Sequence, residues 1–170
     1  MARSPSFVLV VNGKTVPASE VTPHTTLLQF LRGTGRTGTK EGCAEGDCGA
    51  CTVALVDTNA SGEKTFRAIN ACITLLPMVA GREIVTVEGV GTPAALHPVQ
   101  EAMVQRYGSQ CGYCTPGFIC SMFEAYYRTD LGDDARAKIG DQLNGNLCRC
   151  TGYRPIRDAM LDALEMKKTR

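Results

Sequence analysis

Residues 38–51, which read GTKEGCAEGDCGAC, decide the fold of this chain. Cys43, Cys48 and Cys51 are separated by four and two residues, and Cys72 follows after twenty more. This spacing is typical of a plant-type [2Fe–2S] site, in which four thiolates hold two irons. Glycines in the loop allow left-handed backbone conformations, so that successive N–H groups point at the sulfurs of a dianionic cluster. A four-cysteine zinc site is the alternative, although zinc sites usually space their cysteines as two C-x2-C pairs.

Four more cysteines form a C-x2-C pair and a C-x-C pair in the other half of the chain: Cys111, Cys114, Cys148 and Cys150. Each pair precedes a predicted helix start, marked by Thr115-Pro116 and by Pro155. The positive ends of two helix dipoles favour a dianionic cluster over a neutral centre. The pattern therefore favours a second [2Fe–2S] cluster, with zinc left open as the alternative.

Nine cysteines in 170 residues are the unusual feature of the composition. The first residues contain no apolar signal segment, so we expect a cytoplasmic protein, in which cysteine binds metal more often than it forms disulfides. The ninth cysteine, Cys120, falls inside a predicted helix and is expected to be a buried structural thiol. With 18 basic and 17 acidic residues the net charge is +1, which argues against nucleic-acid binding. No apolar run approaches the roughly 20 residues of a membrane span.

Hydrophobic periodicity is interrupted by glycine and proline at residues 90–95. Before this point, β-branched runs predict strands, the first two joined by a tight hairpin turn at Asn12-Gly13. The predicted strands cover residues 7–11, 14–17, 52–56, 65–69 and 84–87. A short helix capped by Thr25 or Thr26 carries the apolar residues of segment 27–31. The first half is therefore expected to be a small α+β sheet domain.

The second half places apolar residues at helical spacing. One helix is predicted to open at His97-Pro98 and to close at Gly108, and the next to use Thr115 as its N-cap and Pro116 as its first residue. A short third helix is predicted to be capped by Asp133 or Asp134. The last helix is predicted to bury Ile156, Ala159, Met160, Ala163 and Leu164. Four helices with short connections predict a small bundle.

Three longer motifs resemble the iron–sulfur part of the molybdenum hydroxylase (xanthine oxidase) family. Residues 42–53 read GCAEGDCGACTV, residues 110–118 read QCGYCTPGF, and residues 145–156 read GNLCRCTGYRPI. The resemblance extends from Phe7 to about Ala163, with all eight cysteines of the two sets in order. It implies an α+β protein: a plant-ferredoxin-like (β-grasp) domain at residues 1–90 and a four-helix iron–sulfur domain at residues 91–170.

The resemblance also implies roles for particular residues. The cluster nearer molybdenum would be held by Cys111, Cys114, Cys148 and Cys150. The cluster nearer FAD would be held by Cys43, Cys48, Cys51 and Cys72. Gln110 is implied to contact the pterin, and Cys150 to lie beside it. From the residues alone, the favoured interpretation of Gln110 is a polar residue that satisfies a helix end. The loop near Gly46 is expected to be the more exposed of the two sites, because it faces the FAD partner.

The implied partners are a large subunit with a molybdopterin cofactor, in bacteria often the cytosine dinucleotide form, and a medium subunit or domain with FAD. A dimer of heterotrimers is the assembly that this family implies. Within it, this chain would pass single electrons from molybdenum through two [2Fe–2S] clusters to FAD, and would contain no substrate site.

The motifs at residues 75–89, 96–100 and 108–111 most resemble bacterial purine-oxidising members, so xanthine or hypoxanthine is the expected substrate of the complex. Small subunits that serve aldehyde, carbon monoxide, nicotinate or aromatic acyl-thioester chemistry share these motifs and remain alternatives. A free-standing ferredoxin is an alternative of another class, although a net charge of +1 gives a mobile carrier little electrostatic steering. A zinc-stabilised interaction module is the third alternative.

Overall fold

The computed structural model of the protein describes residues 7–19, 21–131 and 135–169. These residues form one mixed sheet and a set of helices. The strands are β1 (Phe7–Val11), β2 (Lys14–Ala18), β3 (Thr52–Thr58), β4 (Lys64–Asn70) and β5 (Glu83–Val85). The helices are α1 (Leu27–Gly33), α2 (Val87–Val90), α3 (Pro98–Gln105), α4 (Thr115–Tyr127), α5 (Ala135–Gln142) and α6 (Arg154–Thr169), with a 3-10 turn at Leu76–Val79. No helix in the described ranges has the length and apolar character needed to cross a bilayer.

The sheet has the strand order β2-β1-β5-β3-β4. β1 is antiparallel to β2 and parallel to β5, while β3 is antiparallel to both β4 and β5. The hairpin predicted at Asn12-Gly13 is confirmed: both residues take left-handed conformations, with φ of 53° and 74°. This turn matches the right-handed twist of the strands that it joins.

Helix α1 covers one face of the sheet. Thr26 caps it in a reciprocal capping box with Gln29, which confirms one of the two predicted caps. Its apolar residues 27, 28, 30 and 31 are buried against Leu9, Val53 and Leu55 of the sheet. Each such buried side chain contributes roughly 1.5–3 kcal/mol of transfer free energy.

Helix α4 covers the other face of the same sheet. Ala54 and Val56 of β3 belong to one core with Phe118 and Met122 of α4, together with buried residues of α3, α5 and α6. Residues 53 and 55 therefore face α1 while residues 54 and 56 face α4, as alternate side chains of a strand must. This explains why residues 53–56 are apolar throughout rather than alternating, because a central strand with two covered faces needs apolar residues on both.

The five predicted helices are found in place as α1, α3, α4, α5 and α6, whereas α2 was not predicted, and several helix ends differ. Gly108 is the predicted closing residue of α3, a position that often has a left-handed backbone. Tyr107 takes that conformation instead, with φ 54°, and the Gly108 N–H bonds the Met103 carbonyl at 2.9 Å. A Cβ on Gly108 would lie 2.5 Å from Met103 Sδ, so Gly108 packs directly on the end of the Met103 side chain. Helix α4 starts with Thr115 as its first residue and Cys114 as its N-cap, one position earlier than predicted.

Two further predictions concern the end of β5 and the start of α5. The strand predicted at residues 84–87 ends at Val85, because Thr86 becomes the N-cap of α2 and donates its N–H to Asn12 Oδ1 at 2.8 Å. The predicted capping residues Asp133 and Asp134 lie outside the described residues, and α5 is observed from Ala135. The final helix is confirmed as α6, with Ile156, Ala159, Met160 and Ala163 buried and Leu164 partly buried.

Candidate iron–sulfur sites

The β3–β4 hairpin brings together two cysteines that are twenty residues apart in sequence. Thr52 pairs with Asn70, so Cys51 immediately precedes the paired segment and Cys72 follows it closely. The Ala71 N–H bonds the Cys51 carbonyl at 3.4 Å, and the Cys72 thiol lies close enough to affect the pKa of Cys51. Both cysteines are buried. Burial raises the pKa of Cys51 to about 12, and the nearby thiols of Cys72 and Cys48 oppose its ionisation further.

The loop before β3 forms the predicted ring of amide donors. Cys43 Sγ accepts hydrogen bonds from the N–H groups of Glu45, Asp47 and Cys48 at 3.4, 3.4 and 3.3 Å. Positive φ angles at Ala44 (60°) and at residue 46 (85°) turn these amides inward. The three backbone hydrogen bonds, led by that from Glu45, lower the pKa of Cys43 to about 6. The loop therefore stabilises negative charge on sulfur.

The second set of cysteines lies in two turns that lead into helices. Cys114 is the N-cap of α4, and Cys148 lies six residues before the start of α6. Burial raises the pKa of Cys114 to about 12, and the neighbouring Cys148 thiol adds to this shift. Burial also opposes ionisation of Cys148, but hydrogen bonds from the hydroxyl and N–H of Thr151, at 3.2 and 3.4 Å, lower its pKa overall. A hydrogen bond between the Cys111 and Cys150 thiols raises the pKa of Cys150.

Sulfur contacts thus link the eight predicted ligands into two separate sets of four. In the first set, Cys43 contacts Cys48 and Cys51 contacts Cys72. In the second, the pairs are Cys111 with Cys150 and Cys114 with Cys148. Paired thiols fit a [2Fe–2S] cluster, in which two thiolates bind each iron. Within the described ranges, no three His, Cys, Asp or Glu side chains surround one position for a single metal ion.

Members of both sets line a common cleft of about 300 Å³. Cys43 and Cys48 of the first set and all four cysteines of the second set contribute to it. Two hydrogen bonds cross between the loops: the Leu147 N–H donates to the Cys48 carbonyl at 2.9 Å, and the Tyr113 hydroxyl donates to the Glu41 carbonyl at 2.5 Å. The fold therefore holds both sets of thiols side by side.

In the isolated chain both loops are largely exposed, so the greater exposure expected of the loop near Gly46 stays a prediction. Cys111 and Cys150 are exposed in this chain, whereas Cys43 and Cys48 are half-buried. Residue 46 itself is contacted by Ile73, whose side chain packs on the glycine, and by the Asn70 amide, which donates to the carbonyl of residue 46 at 2.6 Å. Contacts of this kind, from residues distant in sequence, carry no signal in the loop motif.

Gln110 is exposed and directly precedes Cys111. Helix α3 is closed by the backbone N–H groups of Arg106, Tyr107 and Gly108, so its end is capped without the Gln110 side chain. Cys120 is fully buried in α4, where burial raises its pKa to about 12. The predicted burial of Cys120 is therefore confirmed, and its structural role stays a prediction.

Comparison with known proteins agrees with this geometry. Residues 9–77 match the family model of the 2Fe-2S iron-sulfur cluster binding domain, and residues 86–161 match that of the [2Fe-2S] binding domain. The quinoline 2-oxidoreductase of Pseudomonas putida 86 is similar in structure, with a TM-score of 0.83 and 32% identity. The similarity covers 99% of this chain and 98% of that one. The chain belongs to the iron–sulfur part of the molybdenum hydroxylase family.

Other molybdenum hydroxylases contain this iron–sulfur part within longer chains. Xanthine dehydrogenase of Oryza sativa subsp. japonica is 50% identical over 154 residues, which are 89% of this chain and 11% of that protein. Aldehyde oxidase 1 of Oryctolagus cuniculus is 45% identical over 162 residues, 94% of this chain and 12% of that one. The aldehyde oxidoreductase of Desulfovibrio gigas is similar in structure, with a TM-score of 0.82 and 38% identity. The similarity covers 97% of this chain and 17% of that one. The chain spans about a tenth of the length of these curated relatives, and it corresponds to their iron–sulfur electron-transfer part.

Sequence reasoning missed the residues that join the two sites. Tyr113, Asn146 and Leu147 all lie within the quoted motifs, yet spacing assigns them no role because their partners are more than seventy residues away. The absence of a side chain at residues 49 and 117 was the available signal, since a Cβ on either would overlap backbone atoms of the neighbouring segment.

Proposed function

We propose that this chain passes single electrons from a molybdopterin centre to FAD, both carried on other subunits or domains, through two [2Fe–2S] clusters. The observation that carries the proposal is the grouping of eight thiols into two adjoining sets; six of the thiols line one cleft, while Cys51 and Cys72 are buried. A [2Fe–2S] cluster, when bound, takes up and releases one electron at a time. The family membership of the chain supports the same conclusion.

The ligands that we propose follow the sulfur contacts. Cys43 and Cys48 would hold one iron of the first cluster, and Cys51 and Cys72 the other. Hydrogen bonds from backbone N–H groups to Cys43 stabilise the negative charge of the cluster, while burial of Cys51 keeps water from the opposite side. Ligand identity, burial and such hydrogen bonds are what the protein uses to set the potential.

The second cluster would be held by Cys111 with Cys150 and by Cys114 with Cys148. Thr151 supplies two hydrogen bonds to Cys148 Sγ, as Glu45 and its neighbours do to Cys43. The N-terminal end of α4 lies next to Cys114, so its dipole favours the anionic cluster.

The exposed edge of the second set supports its placement next to the molybdopterin. Gln110, Cys111 and Cys150 are all exposed in the isolated chain, as expected of residues that meet a cofactor held by a partner. We propose that Gln110 and Cys150 contact the pterin there. Near the first set, the exposed side chains of Ile73 and Met78 offer an apolar surface for the FAD-binding partner.

The proposed organisation has a ferredoxin-like domain at residues 1–90 and a helical domain at residues 91–170. The two family models, which match residues 9–77 and 86–161, support a division in this region. A large molybdopterin subunit, with the cytosine dinucleotide form of the cofactor, and a medium FAD subunit are the proposed partners. The dimer of heterotrimers and the cytoplasmic location stay predictions.

We propose a purine such as xanthine or hypoxanthine as the substrate of the complex. Xanthine dehydrogenases from plants and fungi, at 46–50% identity, support this choice. Aldehyde oxidation is the second candidate, favoured by two mammalian aldehyde oxidases at 45–46% identity. Assay of the purified complex with xanthine, hypoxanthine and an aldehyde separates them, because only one class should be turned over efficiently.

The decisive experiment is purification of the protein with its partners, followed by metal analysis and electron paramagnetic resonance. We expect about four irons per chain, with molybdenum and FAD in the same complex, and two distinct [2Fe–2S] signals after reduction. Replacement Cys48→Ser should abolish one signal and leave the other. A colourless protein that contains zinc, or survival of both signals in Cys48→Ser, contradicts the proposal.

A further inference from the structure

Asn146 lies in the turn between α5 and Cys148, and only 3% of its surface is exposed. Its Nδ2 donates to the Gly49 carbonyl at 3.0 Å and lies 3.3 Å from Thr52 Oγ1. Its Oδ1 accepts a hydrogen bond from Ser121 Oγ of α4 at 2.6 Å. Gly49 directly follows Cys48, so this one amide links the loop of the first cysteine set, the loop of the second set and the helix between them.

The backbone around this amide is packed too closely for side chains. A Cβ on Gly49 would lie 2.2 Å from the Gly145 carbonyl oxygen, and a Cβ on Gly117 would lie 2.1 Å from the Gly49 carbonyl oxygen. The neighbouring Leu147 N–H bonds the Cys48 carbonyl at 2.9 Å. We call this contact of residues 48–49, 117 and 145–147 the junction.

A buried amide is costly unless its donor and its acceptor are both satisfied. Asn146 meets this condition with partners on two different segments, so its orientation is fixed on both sides. An apolar residue would fill the same space without specifying how the two loops are aligned. The amide is therefore suited to setting geometry rather than merely filling the core.

We propose that Asn146 is a positioning residue that fixes the separation and orientation of the two cysteine sets, and through them the electronic contact between the two clusters. This inference rests on the proposed function. Transfer moves one electron from the reduced centre to the oxidised one, and no bond is made or broken at Asn146. The efficiency of that step depends steeply on distance, which the junction holds constant.

The test is Asn146→Ala in the cluster-loaded protein, with both clusters reduced by dithionite. We expect the iron content and both cluster signals to be retained, while the magnetic interaction between the two reduced clusters, seen as splitting in the low-temperature spectrum, is lost. We also expect faster hydrogen–deuterium exchange at the Leu147 amide, because its bond to the Cys48 carbonyl is no longer held. Unchanged splitting and unchanged exchange overturn the proposal.

Asn144→Ala is the matched control, because that exposed amide lies in the same turn as Asn146 and donates to Asp141 Oδ1 at 3.5 Å, outside the junction. It should leave the splitting intact, and an equal loss in both variants shows general loosening and overturns the role of Asn146. If Asn146→Ala loses a cluster, the test is repeated with Ser121→Ala, which removes only the hydrogen bond that orients the Asn146 amide. Weaker splitting in that variant supports the proposal, and unchanged splitting overturns it. If the unsubstituted protein does not show two reduced-cluster signals, the proposed electron-transfer function is contradicted. The exchange rate of the Leu147 amide still tests the positioning role of Asn146 in that case.

Discussion

Cys43 and Cys51 belong to the same set of four cysteines but have opposite surroundings. Three backbone amides lower the pKa of Cys43 to about 6, whereas burial raises that of Cys51 to about 12. The first environment stabilises the thiolate and the second disfavours it until a metal supplies positive charge. We infer that the Cys43 side of the loop presents the reactive thiolate when the site is metal-free.

This difference predicts a pH-dependent labelling pattern in metal-free protein. A pKa of about 6 makes the Cys43 thiolate the dominant form at neutral pH, so iodoacetamide should modify Cys43 readily at pH 7 and progressively less as the pH falls below 6. Peptide mass mapping after short labelling between pH 5 and 8 measures this. Cys120, buried with a pKa raised to about 12, is the internal control and should stay unmodified until the protein is unfolded. Equal labelling of the two contradicts the assignment.

The extent to which single residues could be predicted depends on where their partners lie. Cysteine spacing predicted both sets, because most of their members lie in short loops whose residue types are visible in sequence, although Cys72 reaches the first set only through the β3–β4 hairpin. Asn146 was not identified, since its bonds to Gly49 and Ser121 cross between segments. Tyr107 was also missed: the sequence favours Gly108 as the residue that ends α3 because glycine tolerates positive φ, but Tyr107 takes that conformation in the structure.

At the level of elements, α4 is constrained by close contact at its first turn. Gly117 is buried there, with the Gly49 carbonyl oxygen 2.1 Å from the position that a Cβ would occupy. Glycine in a helix costs about 1 kcal/mol relative to alanine. Glycine nevertheless occupies this position, because α4 can approach the loop of the first cysteine set only without a side chain there.

Gly117→Ala should therefore destabilise the protein despite the better helix propensity of alanine. Overpacking typically costs about 1–3 kcal/mol, which exceeds the gain in propensity. Chemical denaturation of the cluster-loaded protein measures the difference in free energy of unfolding. Gly140→Ala in α5 is the matched control, since a Cβ there meets no atom within 4 Å; it should stabilise by roughly 0.5–1 kcal/mol. Stabilisation by both substitutions contradicts the close contact.

Across the whole molecule, the sheet and the helices share a core. Residues 54 and 56 of β3 pack with Phe118 of α4, while residues 53 and 55 pack toward α1. The sequence predicted β3 and α4 as separate elements but not this contact, because periodicity describes each element alone. The apolar run at residues 53–56 was the indication that both faces of the strand are covered.

A shared core predicts that the sheet and the helices unfold together. Phe118→Ala removes a fully buried ring and should cost about 3–5 kcal/mol, lowering the stability of β3 and α6 by the same amount. Hydrogen–deuterium exchange of peptides from both elements, under increasing denaturant, measures this. Val8→Ala, at a half-exposed position of β1, should change stability by no more than about 0.5 kcal/mol. Earlier opening of α6 while β3 stays protected contradicts a single cooperative unit.

The double covering of β3 also limits how this chain can be divided by protein engineering. A fragment that ends near residue 90 would retain the first four cysteines, yet it would leave Ala54, Val56 and the ring of Phe66 without the helix that covers them. Such a fragment would present a bare apolar sheet face and tend to aggregate. A minimal one-cluster carrier made from this chain would therefore need polar replacements on that face, or a substitute helix designed to lie across it.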